Sequence, residues 1–450
     1  MPNVLNAELL RDSLTRLSHA NREIAEAYPG ESADRQPVHT VYGGAHLFSA
    51  DVARQLGQSA QDALKQYAPD ASAFAKAIGL PDRDGLPALV YARVLEKLRE
   101  EPVEDYRIDF EDGYGNRPDA EEDGHALAAG KEVAKGLAEK TLPPFIGIRI
   151  KPLTEELCGR SLRTLALFLS GLIDGAKGGL PAGFVVTLPK ITTSEQVRTL
   201  VDSFELMERL VHLQPGALRM ELMVETTQSI IGPSGDCLLP EFVRAARGRC
   251  RGAHFGVYDY TAACGITAAH QGPQHPACDF ARHAMQVSLA GTGVTLSDGA
   301  TSILPVGPHR AENGRAPSRE LEEENARAVH RGWRTHYEDV RYSLARGYYQ
   351  GWDMHPAQLP TRYAAVFAFF LEARREAAAR LKNFVERAAQ ATLLGNVFDD
   401  AATGQALLNF FLRGINSGAL TEDEALATGL TLDELRGRSF VKILNARRGG

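Results

Sequence analysis

What most restricts the folding of this chain is a regular alternation. Eight short apolar runs recur between about residue 38 and residue 360, each followed by a longer amphipathic stretch. The runs are VHTVYGG (38–44), YRIDFEDG (106–113), FIGIRIKPL (145–153), GFVVTLPKI (183–191), RMELMVET (219–226), AHFGVYDY (253–260), VTLSDGA (294–300) and GWDMHPAQL (351–359). Between them apolar residues return at helical spacing, as in Glu121–Glu139, Leu162–Ala176, Ser194–His212, Leu238–Arg247, His275–Leu289 and Ser318–Gly347. Strict strand–helix alternation implies a parallel sheet. Consecutive apolar residues in Phe184–Val186 and Phe145–Ile150 fit strands buried on both faces. Eight units favour a closed (β/α)8 TIM barrel over an open doubly wound sheet. The sequence also lacks GxGxxG at a strand-to-helix junction and lacks GxxxxGK[ST].

The 450 residues divide into three expected parts. A helical arm (1–37) carries Leu5, Leu9, Leu10, Leu14 and Leu17, and the catalytic barrel spans 38–360. A helical extension (361–450) follows, with segments Tyr363–Lys382, Ala388–Leu394, Gly404–Leu412 and Glu422–Ala427, the last opened by a start signal at 421–424. This extension is expected outside the barrel wall, as a lid or a contact between subunits. With 50 basic against 57 acidic residues and no Lys/Arg block, the chain has no footprint for nucleic acid. The run Tyr363–Leu371 is far short of the ~20 residues that cross a bilayer, so no membrane partner is expected. Glu8, Arg11 and Asp12 interrupt any signal-peptide core, which points to the cytoplasm. Five widely spaced cysteines with no CxxC pair read as reduced thiols.

Charged residues gather where the strands end, the face on which barrel enzymes keep their sites. The second run closes on Asp109, Glu111 and Asp112, three carboxylates in four residues that repel one another unless a cation or donors offset them. Arg149 lies inside an apolar strand and must pair, either with a substrate carboxylate or with a carboxylate of the second strand. Lys190 after the fourth strand is a second anion contact or a solvated lysine. Glu225 and Asp259 are acids in the fifth and sixth apolar runs. With no His or Cys beside them they make an oxygen-only set of the kind Mg2+ or Mn2+ prefers. Glycoside hydrolysis is the competing use of paired carboxylates, but 7% aromatic residues and two Trp leave little sugar-stacking surface.

Taken together, DFEDGYG, GIRIKP, VTLPK, ELMVETTQSI, HFGVYDYTAACG and GWDMHPAQL, in this order, resemble the HpcH/HpaI aldolase and citrate lyase β-subunit superfamily. The resemblance covers about residues 38–360. It implies a barrel that makes or breaks carbon–carbon bonds beside a carboxylate or acyl-CoA with Mg2+ or Mn2+. It further implies that Glu225 and Asp259 ligate the metal, Arg149 holds the substrate or enolate oxygen, and Glu111 and Asp112 order metal-bound waters. A homo-oligomer, trimer or hexamer, is implied as well. The family's Val-Pro-Gly after strand one is replaced by Tyr42-Gly43-Gly44-Ala45-His46, which marks a divergent, longer branch.

Aldol-type cleavage leaves a carbanion that must be delocalised as an enolate, and a divalent cation with Arg149 would stabilise it. The base that removes the hydroxyl proton is His46, His355, His270, His275 or a metal-bound hydroxide held by Glu111 and Asp112. His46 and His355 are also expected to contact substrate. Two alternatives remain open: another enolate reaction, such as thioester hydrolysis, and a barrel that only binds a metabolite.

Overall fold

The computed structural model describes residues 10–30, 34–176, 179–311, 317–386, 392–394, 397–399, 401–437, 439 and 442–443. Its centre is a closed parallel barrel of eight strands in sequence order: β1 His39–Gly44, β2 Asp105–Asp109, β3 Phe145–Arg149, β4 Val185–Leu188, β5 Arg219–Val224, β6 Cys250–Phe255, β7 Thr295–Ala300 and β8 Gln350–Asp353. Pairing of β1 with β8 removes both sheet edges. Each apolar run of the sequence supplies one strand. The sixth ends early: the chain turns at Gly256 and enters the helix Val257–Ala263. Asp259 is therefore in the first turn of a helix and not in the strand expected to carry it.

The register decides which residues meet in the lumen. Gly44, Asp109, Arg149, Thr187 and Glu221 are successive partners across β1 to β5. One turn of the pleat lower, Tyr42, Arg107, Gly147 and Val185 form the next row. A Cβ on Gly147 would stand 2.7 Å from Arg107 Nη1 and 2.3 Å from Val185 O, so only glycine leaves room for that guanidinium.

Outside the strands the expected helices form, several with side-chain caps. Thr193 and Gln196 cap Ser194–Leu210 reciprocally, and Thr421 with Glu424 does the same for Glu422–Leu426. The boundary expected at residue 360 falls inside one helix, Leu359–Glu386. Its apolar run Tyr363–Leu371 packs against Leu86–Glu100 and Arg319–Ala345, because it directly follows β8 and supplies the wall's eighth outer helix. The extension thus begins later than the sequence indicates. Its helix Ala401–Asn416 packs against that wall helix, with Phe370 and Phe410 rings 5.1 Å apart. Of the expected helix Ala388–Leu394, residues 388–391 lie outside the described set, and Thr392–Leu394 pair with Val397–Asp399 as a hairpin instead.

Gln405, Asn409, Leu412 and Arg413 line a cavity of about 650 Å3 with Gly293, Val294, Thr295 and Leu296. Those residues open β7, so in this chain the extension sits at the end of the barrel opposite the strand C-termini. A lid over its own mouth is not what these helices form. The arm helix, Arg11–Ala27, buries none of its side chains. Among the described residues no helix is long and apolar enough to cross a membrane, and all five cysteines are free.

Candidate active site

Strand β2 ends at Asp109, and the next four residues curl around its carboxylate. Oδ1 accepts from Glu111 N at 3.0 Å and Oδ2 from Gly113 N at 2.7 Å. A Cβ on Gly113 would stand 2.6 Å from Oδ2, so the turn closes this tightly only with glycine there. The register partner Arg149 donates through Nε and Nη2 to the same carboxylate, 2.7 Å at Nε. Its Nη1 lies 3.1 Å from Glu111 and 3.7 Å from Asp112, and its guanidinium lies 5.1 Å from the centre of the Tyr42 ring. Of the two partners open to Arg149, the second-strand carboxylate takes one full edge of the fork. Only the Nη1 side faces the mouth.

Lys190 follows β4 in left-handed backbone, φ 50°. That conformation is uncommon for a long side chain and is found where surrounding structure imposes it. Here Lys190 N donates to Glu225 Oε1 at 2.7 Å while Nζ reaches across the mouth to Glu111 at 2.5 Å, Asp112 at 3.3 Å and Asp259 at 3.7 Å. Opposing charges offset the desolvation of Lys190, which stays protonated well above the ordinary lysine range.

Glu225 is 2% exposed at the end of β5. Gly256 lets the next strand turn beside it: a Cβ there would lie 2.5 Å from Glu225 Cβ and 2.8 Å from Oε2. Burial pushes the Glu225 carboxyl up to about 8, with Lys190 opposing and Asp259 and Glu111 adding to the rise. Burial also raises Glu111, to about 7, against the pull of Arg149 and Lys190. Asp112 moves the other way. Its own partial burial is outweighed by the Glu111 hydrogen bond and by Arg149 and Lys190, so it stays below the usual aspartate range.

The structure therefore brings together Glu111, Asp112, Arg149, Lys190, Glu225 and Asp259, drawn from five separate stretches of sequence. It adds Asp109 and Tyr42, which sequence reasoning left without a role. The strand DYRID signals Asp109: Asp105, Arg107 and Asp109 alternate at period two and so share the lumen face. The histidines make other contacts. His46 follows β1 but packs beside the rings of Tyr114 and His125, 5.7 and 6.3 Å between centroids. Burial, with Arg117 and His125, keeps it below the ordinary histidine range. His355 Nδ1 accepts from Ala357 N at 3.1 Å, and Gln358 Oε1 accepts from Met354 N at 2.8 Å. The His-Pro-x-Gln element is thus a reciprocal cap on the short helix Pro356–Gln358. His275 Nδ1 accepts from Ala277 N at 3.1 Å and caps Pro276–Leu289 without a reciprocal partner, and His270 lies in an exposed helical turn.

Five carboxylates, Asp109, Glu111, Asp112, Glu225 and Asp259, face two cations, Arg149 and Lys190. Among the described residues no three His, Cys, Asp or Glu side chains converge on one point as a ready-made metal cage. Mg2+ does not require one, since it commonly uses one or two carboxylates and completes its octahedron with water and substrate oxygens. Oxygen donors only, in excess of their counter-charges, with two acids raised chiefly by burial, fit a divalent cation at Glu225 and Asp259.

Among solved structures, a citrate lyase from Burkholderia xenovorans LB400 superposes with TM-score 0.56 at 18% identity, covering 89% of this chain and all of that one. The magnesium and glyoxylate complex of Haloferax volcanii malate synthase gives 0.46 at 14%, covering 91% and 96%. The protein CitE of Mycobacterium tuberculosis, in complex with magnesium and acetate, gives 0.35 at 16%, covering 73% and 89%. At these identities the likeness to the Burkholderia enzyme is one of fold, and that fold is the barrel expected from the sequence. No curated protein matches the chain in sequence. The family model described as "Domain of unknown function (DUF6986)" matches residues 17–443, and the chain belongs to that family.

Proposed function

We propose that the chain is a Mg2+- or Mn2+-dependent carbon–carbon lyase, acting through an enolate on a small oxo- or hydroxy-acid or its acyl-CoA thioester. The observation that carries this reading is the pairing of an anionic excess with Arg149 at one barrel mouth, with Glu225 near 8 and Glu111 near 7. A pure binding pocket has no need of two carboxyls held near neutrality beside an arginine. The sequence resemblance implies the reaction class, and the fold shared with the Burkholderia citrate lyase supports it.

Glu225 and Asp259 would hold the cation, whose chemistry is to polarise the substrate carbonyl and spread the charge of the enolate. The remaining work falls to the protein. Arg149, locked by Asp109, keeps its Nη1 side toward the mouth, where oxyanion charge develops, and needs no reorganisation as the bond breaks. Glu111 has a proton affinity matched to neutral pH, so it takes the hydroxyl proton of the cleaved bond and returns one to the product carbon. Asp112, kept ionised, holds the proton-bearing group in place. Lys190 orients Glu225 through its backbone N–H and anchors a substrate carboxylate through Nζ.

The test is an assay of chelator-stripped protein, restored with Mg2+ or Mn2+, against 4-hydroxy-2-oxo acids and 3-hydroxyacyl-CoA thioesters. The expected result is metal-dependent release of pyruvate, glyoxylate or acetyl-CoA that Glu225→Gln lowers by at least ~100-fold, the scale of one preorganised charge group. Turnover that is indifferent to chelator and to Glu225→Gln would overturn the reading.

A further inference from the structure

The arm helix Arg11–Ala27 carries a repeat that the barrel does not use. Leu10, Leu14, Leu17, Asn21, Ile24 and Tyr28 follow one another in steps of four, three, four, three and four, the spacing of a heptad seam. Leu10, Leu14, Leu17, Ile24 and Tyr28 are 37%, 51%, 55%, 61% and 48% exposed, so the seam is open along its length. Small residues flank it at Ser13, Ser18, Ala20, Ala25 and Ala27. The opposite face holds Asp12, Arg16, His19, Arg22, Glu23 and Glu26. A helix draws most of its stability from packing an apolar face, and this one packs none of its side chains in the single chain.

We propose that this seam pairs in parallel, in register, with the same helix of a second copy of the chain. Asn21 selects that partner. It occupies the heptad position written a, where a lone asparagine meets its own copy across a parallel two-stranded seam and fixes register. The antiparallel arrangement that buries the same stripe would set Asn21 against Leu17 and Leu10 against Tyr28, leaving the amide without a polar mate. A lipid surface is disfavoured by the same residue and by the mixed charge of the outer face, which lacks the basic excess of interfacial helices.

The experiment compares the full chain with Leu14→Glu/Leu17→Glu by sedimentation equilibrium, with thermal unfolding recorded on both. The expected result is that the double variant halves the mass in solution and keeps the unfolding temperature of the barrel. Asn21→Cys is then treated with oxidised glutathione beside the wild type and Glu26→Cys, whose residue 26 lies on the outer face. Covalent dimer is expected only from Asn21→Cys. An unchanged mass in the double variant would overturn the pairing, as would a wild type that is monomeric or that binds vesicles through the arm. Equal cross-linking at residues 21 and 26 would overturn the parallel register.

Discussion

Two layers of charge stand one above the other in the barrel, and their chemistry differs. In the lower layer Arg107 lies between Asp105 and Glu221. Its Nη1 is 3.0 Å from Asp105, and its Nη2 is 2.8 Å from both Asp105 and Glu221. Thr40 and Thr187 donate to the same two carboxylates at 2.8 and 3.1 Å, and His254 lies 3.5 Å from Glu221. Burial would raise both acids; Arg107 and His254 outweigh it at Glu221 and hold that acid low, while Asp105, buried beside Glu221, stays above its ordinary range. In the upper layer two cations serve five carboxylates, and burial raises both Glu225 and Glu111. The difference is one of hydrogen-bond closure: both lower acids accept from Arg107 and from a threonine hydroxyl, whereas the Glu225 carboxylate accepts from Lys190 N. Acids bridged by a guanidinium and hydroxyls build the barrel, and acids with fewer internal donors are left for a ligand.

Removing the guanidinium bridge below should cost most. Arg107→Met leaves Asp105 and Glu221 buried together without their cation, a loss expected at about 3–5 kcal/mol. Urea unfolding checks it, and a loss under about 1 kcal/mol would mean that the lower layer is not held by charge at all.

The upper layer predicts the opposite sign. Glu225 is raised in the folded chain from 4.5 to about 8, so between those values the native state holds a proton that the unfolded chain has lost. Stability of metal-free protein should therefore fall as pH rises from about 5 to 8, by roughly 2–4 kcal/mol. Glu225→Gln should flatten that slope and be the more stable protein at pH 8. A wild-type slope retained in the variant would assign the titration elsewhere.

The smallest effect is expected where sequence placed chemistry and the structure shows capping. His355→Ala removes one cap of a short helix, about 1 kcal/mol, and should leave turnover within a few-fold. A hundred-fold loss of activity with unchanged stability would return His355 to the site.

These contrasts also explain what could be read from the chain beforehand. Eight apolar runs announce the barrel because each must be buried on both faces, and Arg149 and Glu225 stand out as charges within them. The identity of Arg149's partner depends on the alignment of Asp109 with Arg149 across β2 and β3, a relation between strands that no single run contains. The departure of Asp259 from β6 turns on Gly256, whose missing side chain admits Glu225. The lower layer was visible in part as Asp105 and Arg107 at period two, yet an apolar reading of the strands conceals it. His355-Pro356-x-Gln358 has the pattern of a cap, with proline first and glutamine third, and the same pattern passes for a catalytic element when read by family likeness.

The most direct test of the central claim is calorimetric titration of metal-free protein with Mg2+ near pH 7 in two buffers of different ionisation enthalpy. The account predicts one site, with proton release on binding as Glu225 ionises, and loss of that site in both Glu225→Gln and Asp259→Asn. Absence of binding, or binding that survives both substitutions without proton release, would contradict it.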